Sequence, residues 1–157
     1  MGLETRWLPE TMYQIWKAGI TLGTWFLLQD QPPTTSFQSG LYFGSPSLIT
    51  AKPKPLLRTF SFPFVAYLRA NGSVLIWGRD RASTQQTITI QRRVGTGAWK
   101  TVATITSNSH GVFTSTLKLG ATAAWYLRAV DASGSSPQFS LTVPPNENMY
   151  VTPFTSG

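Results

Sequence analysis

Residues 85–106 read QQTITIQRRVGTGAWKTVATIT, and their pattern is the clearest indication of the fold class. In its first arm, Ile88 and Ile90 alternate with polar residues, which is typical of a half-buried β-strand. The glycine-containing segment 95–97 is a turn signal, so the two arms are predicted to form a hairpin. The second arm has its apolar residues at Trp99, Val102 and Ile105. The slip in their spacing predicts a β-bulge near Lys100.

The same kind of pattern continues on both sides of this hairpin. Short apolar and β-branched runs are separated by turn signals such as Asn71-Gly72 and Gly134 among serines. Seven strands are predicted, at residues 62–69, 73–79, 85–93, 98–106, 111–119, 123–130 and 137–143. This number of strands, with frequent turns between them, indicates a β-sandwich over residues 62–143. Residues 144–157 are predicted to form an extended tail.

The first 61 residues have a different character. Apolar residues at three- and four-residue spacing predict a helix at about 5–19, with Gly19 as its stop. Because proline is tolerated only near the first turn, the regular helix is expected to begin at Leu8 or Pro9. Residues 20–28, ITLGTWFLL, have no polar face, and this predicts a strand buried on both sides. A long loop follows, and then a short helix at about 54–60. This helix–strand–helix order indicates part of an α/β fold.

Composition excludes several classes of function. The chain has no cysteine and one histidine, His110, so thiol catalysis, disulfide scaffolds and multi-histidine metal sites are excluded. We expect no metal and no cofactor. The net charge is +7, but the basic residues are scattered, so nucleic acid is not an expected partner. No apolar run approaches the roughly 20 residues of a membrane span, and residues 1–6 lack the apolar core of a signal peptide.

Several phrases carry a resemblance to a known enzyme family. LPETMYQIWKAG (8–19), the run at 20–30, QSGLYF (38–43) and KPKPLLRTF (52–60) resemble, in this order, the end of a (β/α)8-barrel glycoside hydrolase of the cellulase-like superfamily. IWGR (76–79), GAWKTVAT (97–104), GVF (111–113) and YLRA (126–129) resemble the small immunoglobulin-like sandwich appended to some bacterial secreted hydrolases. The resemblance therefore implies a mainly β chain, with a seven-stranded immunoglobulin-like sandwich preceded by a helix–strand–helix remnant of the barrel over residues 1–61.

The resemblance also implies where sugar contacts lie. The eighth strand of such barrels carries a tryptophan that faces the substrate, and Trp25 matches its place. Gln29 and Asp30 follow at the carboxyl end of the predicted strand, where barrel sites form. We therefore name Trp25, Gln29 and Asp30 as candidate substrate-binding residues. The alternatives are that Trp25 is a core residue and that Asp30 is a turn or cap carboxylate.

No catalytic residue is predicted in this chain. Glycosidases of the retaining class use two carboxylates about 5–5.5 Å apart, and the family has them on the fourth and seventh barrel strands. The resemblance begins after the seventh strand. We expect a C-terminal fragment of a secreted, extracellular or cell-envelope glycoside hydrolase, non-catalytic alone, whose sandwich supports the barrel. Its partners would be the missing N-terminal barrel region and a polysaccharide or oligosaccharide. The alternative is a polysaccharide-binding or structural surface module with no enzymatic role.

Overall fold

Two helices precede eight short strands in the computed structural model of the chain, which describes residues 3–32, 38–82 and 84–141. The strands form two antiparallel sheets, so the architecture is mainly β and consistent with a β-sandwich. The tail predicted for residues 144–157 lies outside the described residues.

The first sheet has three strands in the order β1-β2-β5, namely β1 (Phe64–Leu68), β2 (Ser73–Arg79) and β5 (Val112–Lys118). The second sheet contains β3 (Thr87–Val94), β4 (Lys100–Thr106), β6 (Trp125–Asp131), β7 (Gly134–Ser135) and β8 (Phe139–Ser140). In this sheet β3 pairs with both β4 and β6, and β6 also pairs with the two very short strands β7 and β8. The chain moves from one sheet to the other after β2, after β4 and again after β5.

Both sheets contribute to a single apolar core. The alternation seen in the sequence places Ile88 and Ile90 of β3 inside, together with Leu127 and Ala129 of β6, and all four are fully buried. Tyr67, Ile76 and Phe113 meet them from the first sheet. Because side chains on a strand alternate between faces, the residues between these positions lie on the outer face of their sheet.

Helix α1 (Leu3–Lys17) packs on this core through Tyr13. The Tyr13 ring lies 5.6 Å from the ring of Tyr67 and 5.8 Å from that of Trp77, measured between centroids. The helix ends at Lys17 and is capped by Gly19, whose φ of 73° is a left-handed conformation that glycine adopts at little cost. Amide N–H groups of Gly19 and Ile20 donate to the carbonyls of Trp16 and Ile15, which is the Schellman arrangement.

Helix α2 (Pro55–Ser61) begins with proline at its first position, where a missing N–H is tolerated. Leu56 of α2 forms a small second apolar cluster with Leu8 of α1 and Leu41. The helices predicted at 5–19 and 54–60 are therefore present, α1 beginning and ending two residues earlier. Pro9 lies inside α1 rather than at its start, which corrects the predicted beginning.

The strand predicted at 20–28 is wrong. No residue of this segment belongs to a strand, and most of its side chains are exposed. A strand satisfies its backbone N–H and C=O groups by pairing with neighbours, and none of the described strands pairs with these residues. The nearest pairing is an isolated bridge between Gln29 and Tyr42. The structure therefore does not bear out a barrel remnant with a doubly buried strand.

Six of the seven predicted sandwich strands are present, with ends shifted by up to two residues. Of the strand predicted at 137–143, the structure has only β8 at Phe139–Ser140, and residues 142–143 are not among those described. The bulge predicted near Lys100 lies on β4 at Val102. Ile90 pairs with Ala103 and Gln91 with Thr101, so Val102 is the extra residue between them.

Candidate functional site

Trp25, Gln29 and Asp30, the residues predicted from the sequence, all lie in the loop region between α1 and α2. The Trp25 indole N–H donates to the Ser39 carbonyl at 2.9 Å, and its ring lies edge-on to Phe60 at 6.0 Å. The Gln29 side-chain amide donates to the carbonyl of Ser45. All three side chains therefore hold loop residues in place, and the structure brings them into one neighbourhood.

Asp30 is the centre of a polar network in this region. Its Oδ1 accepts from the Gly40 amide at 2.9 Å and from Lys54 Nζ at 2.7 Å, and Oδ2 also lies 2.7 Å from Nζ. Lys54 donates in addition to the carbonyl of Gln38 at 2.9 Å. Asp30 and Lys54 are both nearly buried, so this is an ion pair shielded from water. Both carboxylate oxygens are thus engaged in joining the start of the loop to the start of α2.

Gly40 allows the backbone to approach this network closely. A Cβ at residue 40 would lie 2.4 Å from the amide nitrogen of Asp30, which is well inside van der Waals contact. Only glycine therefore fits at this point without displacing the chain.

The apolar segment (residues 20–28) forms an exposed surface beside this network. Phe26 is 90% exposed and Leu22 is 78% exposed, while Ile20, Trp25 and Leu28 are between about a third and a half exposed. Ile49, in the neighbouring loop, is 96% exposed. Single exposed apolar residues are ordinary, whereas contiguous exposed apolar patches are typical of interaction surfaces.

A second feature, which we call the arginine pocket (Arg58, Arg93, Arg128 and Trp99), lies between α2 and the outer face of the second sheet. It is a cavity of about 640 Å³. Arg93 and Arg128 come from β3 and β6, where Arg93 is paired with Tyr126 and Arg128 with Gln91. Their guanidinium carbons lie 4.9 Å and 4.3 Å from the centre of the Trp99 ring. Arg58 reaches the same cavity from α2.

Each of the three arginines is held by a hydrogen bond to a neighbour. Arg58 Nη2 donates to the carbonyl and hydroxyl of Ser135, at 3.1 Å and 2.9 Å. Arg128 Nε donates to the Gln91 side chain at 2.9 Å, and Arg93 Nη2 donates to Gln138. The guanidinium groups are therefore fixed in orientation, and most of their N–H donors remain for other partners.

Burial lowers the pKa of Arg128, and the positive charges of Arg58 and Arg93 lower that pKa further. Both causes act in the same direction because each disfavours a cation at this place. The local potential in the arginine pocket is therefore positive.

Sequence reasoning missed the arginine pocket. It placed Trp99 in a strand as a core residue and treated the neighbouring arginines as scattered bases. The available signal was the polar face of each strand: Gln91 and Arg93 on β3, with Tyr126 and Arg128 on β6, alternate with the buried residues. Trp77, by contrast, is buried in the core at 3% exposure.

Among the described residues, no group of three or more histidine, aspartate or glutamate side chains is placed to hold a metal ion. Neither helix of the described ranges has the length and apolar character needed to cross a membrane. Comparison with protein-family models, with curated proteins and with solved structures gives no match.

Proposed function

We propose that this chain is a non-catalytic C-terminal unit of a secreted glycoside hydrolase, and that the apolar segment packs against the catalytic (β/α)8 barrel of that enzyme. In this proposal the sandwich supports the barrel, and glycosidic bonds are hydrolysed by two glutamates outside this chain. The observation that carries the proposal is the exposure of the apolar segment.

The segment has the composition of a buried element and the exposure of a surface one. Its backbone has no strand neighbour among the described residues, and the side chains of Leu22 and Phe26 face solvent. Burying a leucine or phenylalanine side chain contributes about 1.5–3 kcal/mol. A partner that covered Leu22 and Phe26 and paired with their backbone would bury the exposed apolar side chains and supply the missing backbone hydrogen bonds of this segment.

The acidic side chains support a non-catalytic role. Four of them are described, and each has a local structural partner. Asp30 pairs with Lys54 and Glu10 with Arg6. Asp80 Oδ1 accepts from the amide of Ala82, and Asp131 Oδ1 from the amides of Ser133 and Gly134. The pair of converging carboxylates that glycoside hydrolysis needs is assigned to the barrel.

The proposal also assigns the sandwich to the immunoglobulin-like class. Support comes from the division of its strands into sheets of three and five and from the repeated crossing between them. The antibody-type disulfide plays no part, because the chain has no cysteine.

The first test is the reading frame upstream of Met1. We expect an in-frame extension with most of a (β/α)8 barrel, which is about 250 residues when whole, and with glutamates at the ends of two strands. An upstream frame that encodes an unrelated fold, or a translation start at Met1 in the native transcript, would contradict the proposal.

The second test measures docking directly. The upstream polypeptide and this chain are produced separately and their association is measured by pull-down and by titration calorimetry. Replacing Leu22 and Phe26 together by serine is expected to weaken association at least tenfold, because both side chains lose apolar area that the barrel covers. Val94→Ser is the matched control, since Val94 is 48% exposed and is the last residue of β3, outside the apolar segment. Equal weakening by the control would argue against docking through the apolar segment.

A polysaccharide-binding module is the second candidate function, and the arginine pocket is the observation that favours it. A binding module should retain glycan affinity as an isolated chain, whereas a purely supporting unit should show none.

A further inference from the structure

The arginine pocket gathers three positive charges, and no described residue of its lining carries a negative one. The two ion pairs of the described residues lie elsewhere, between Arg6 and Glu10 and between Lys54 and Asp30. None of the described residues that line the cavity is acidic. Contact with the Trp99 ring offsets part of the repulsion, since a cation over an aromatic face is worth about 0.5–1 kcal/mol at an exposed site. The remaining positive potential favours a negatively charged occupant.

The pocket also offers unused hydrogen-bonding groups. Arg93 Nε is buried without a hydrogen-bond partner, and so is the hydroxyl of Thr59, whose residue is only 1% exposed. Both residues line the cavity. Leaving a buried polar group unpaired costs about 1–3 kcal/mol. A ligand would remove these two costs once a side-chain rotation turned both atoms toward the cavity, because each has almost no exposed surface in the structure.

Guanidinium groups suit oxyanions in geometry as well as in charge. Their planar fork donates two parallel hydrogen bonds to a carboxylate, sulfate or phosphate group. Hydrogen bonds to Ser135, Gln138 and Gln91 already fix the three forks, so little side-chain entropy is lost when an anion is bound.

The size of the cavity leaves room for an anion that is part of a larger molecule. Its volume of about 640 Å³ lies within the range of small-molecule sites. A bare sulfate would leave most of this space empty. The lining adds side chains of Thr59 and Gln138, which can exchange hydrogen bonds with hydroxyl groups.

We propose that the arginine pocket binds an acidic saccharide, whose carboxylate or sulfate group is held by Arg58, Arg93 and Arg128. The choice of a saccharide as the carrier of the anion rests on the proposed function. The anion site itself requires only α2 and the second sheet, and it does not depend on docking through the apolar segment.

Titration calorimetry on the full chain at low ionic strength tests this proposal. The probes are digalacturonate, a sulfated disaccharide, a neutral disaccharide of equal size, sodium sulfate and citrate. We expect both acidic disaccharides to bind, the neutral one not to bind, and affinity to fall as salt screens the charges. Sulfate and citrate should bind at least tenfold more weakly than the acidic disaccharides.

Single variants locate the site. Arg58→Gln, Arg93→Gln and Arg128→Gln should each weaken binding of the acidic disaccharides by about tenfold or more, which is the range for one charged hydrogen-bonding partner. Arg81→Gln is the matched control, because Arg81 is exposed and does not line the cavity. Arg58 is also exposed, so its variant should fold even if the substitution at Arg128 perturbs the packing of Trp99. Circular dichroism confirms the fold of each variant.

The possible results separate the parts of the proposal. An equal loss in Arg81→Gln, or unchanged binding in all three pocket variants, would overturn the site. Sulfate or citrate binding as tightly as the acidic disaccharides would overturn the saccharide while leaving an anion site. Absence of binding by every anion would overturn both. Because none of these measurements involves the barrel, they fail or succeed independently of the reading-frame and docking tests.

Discussion

The sandwich and the loop region between the two helices contain similar apolar residues but use them in opposite ways. Phe113 in β5 is 2% exposed, whereas Phe26 in the apolar segment is 90% exposed. In the sandwich, each strand finds its partners within the described chain, and its apolar face closes on the other sheet. The loop region has no such partner and is held instead by polar contacts centred on Asp30. The comparison shows that an apolar run becomes a core element only when its backbone can be paired as well.

The largest expected effect comes from a substitution in the core of the sandwich. Phe113→Ala should lower the free energy of unfolding by about 3–5 kcal/mol, because it leaves a cavity among Phe62, Phe64 and the core. Urea unfolding followed by tryptophan fluorescence measures the change. Phe26→Ala is the matched control and should stay within about 0.5 kcal/mol of the original protein. Similar losses in the two variants would show that Phe26 is packed in solution.

A smaller effect is expected from breaking the polar network of the loop region. Lys54→Met should destabilise this region by about 2–3 kcal/mol, because the nearly buried carboxylate of Asp30 loses its cationic partner. Hydrogen exchange at the amides of residues 40–43 reports this loss locally. Lys52→Met serves as the control, since Lys52 is exposed and its side chain is not part of the network. If Lys54→Met left exchange at the Gly40 amide unchanged, the network would not be what holds the loop.

The smallest effect concerns the point where α1 joins the loop region. Gly19→Ala should cost about 1 kcal/mol, because alanine is strained at a φ of 73° even though open space surrounds the position. Gly23→Ala is the control, since Gly23 has ordinary backbone angles and only a 4.0 Å contact to Ile15. Thermal unfolding of the two variants checks the difference. Equal melting temperatures would mean that α1 does not end through the Gly19 cap in solution.

Much of the sandwich could be predicted because its signals are local. The alternation of Ile88 and Ile90, together with the turn at 95–97, is enough to predict the hairpin of β3 and β4. The bulge was predicted within two residues of Val102, since an extra residue disturbs the spacing of apolar positions along the strand. The helices were predicted for the same reason, because a helix satisfies its own backbone and displays its period in the sequence.

The strand at 20–28 could not be judged in this way. A run without a polar face indicates burial, but its sequence does not show whether other strands are available to pair with its backbone. The predicted site residues show the same limit. The sequence placed Gln29 and Asp30 at a strand end, whereas in the structure they are loop residues that hold Ser45, Gly40 and Lys54 in place.

The mainly β character, the positions of most elements and the absence of cysteine chemistry follow from the sequence, because they depend on residue type and local period. Which apolar side chains are covered and which charged side chains lie together depend on the tertiary structure. Arg58 and Arg128 are 70 residues apart in the chain, and nothing local relates them. They line one cavity because Arg58 of α2 is hydrogen-bonded to Ser135 in β7 of the second sheet, and Arg93, Arg128 and Trp99 line the same cavity. Long-range packing therefore creates the arginine pocket, and it also leaves the apolar segment exposed.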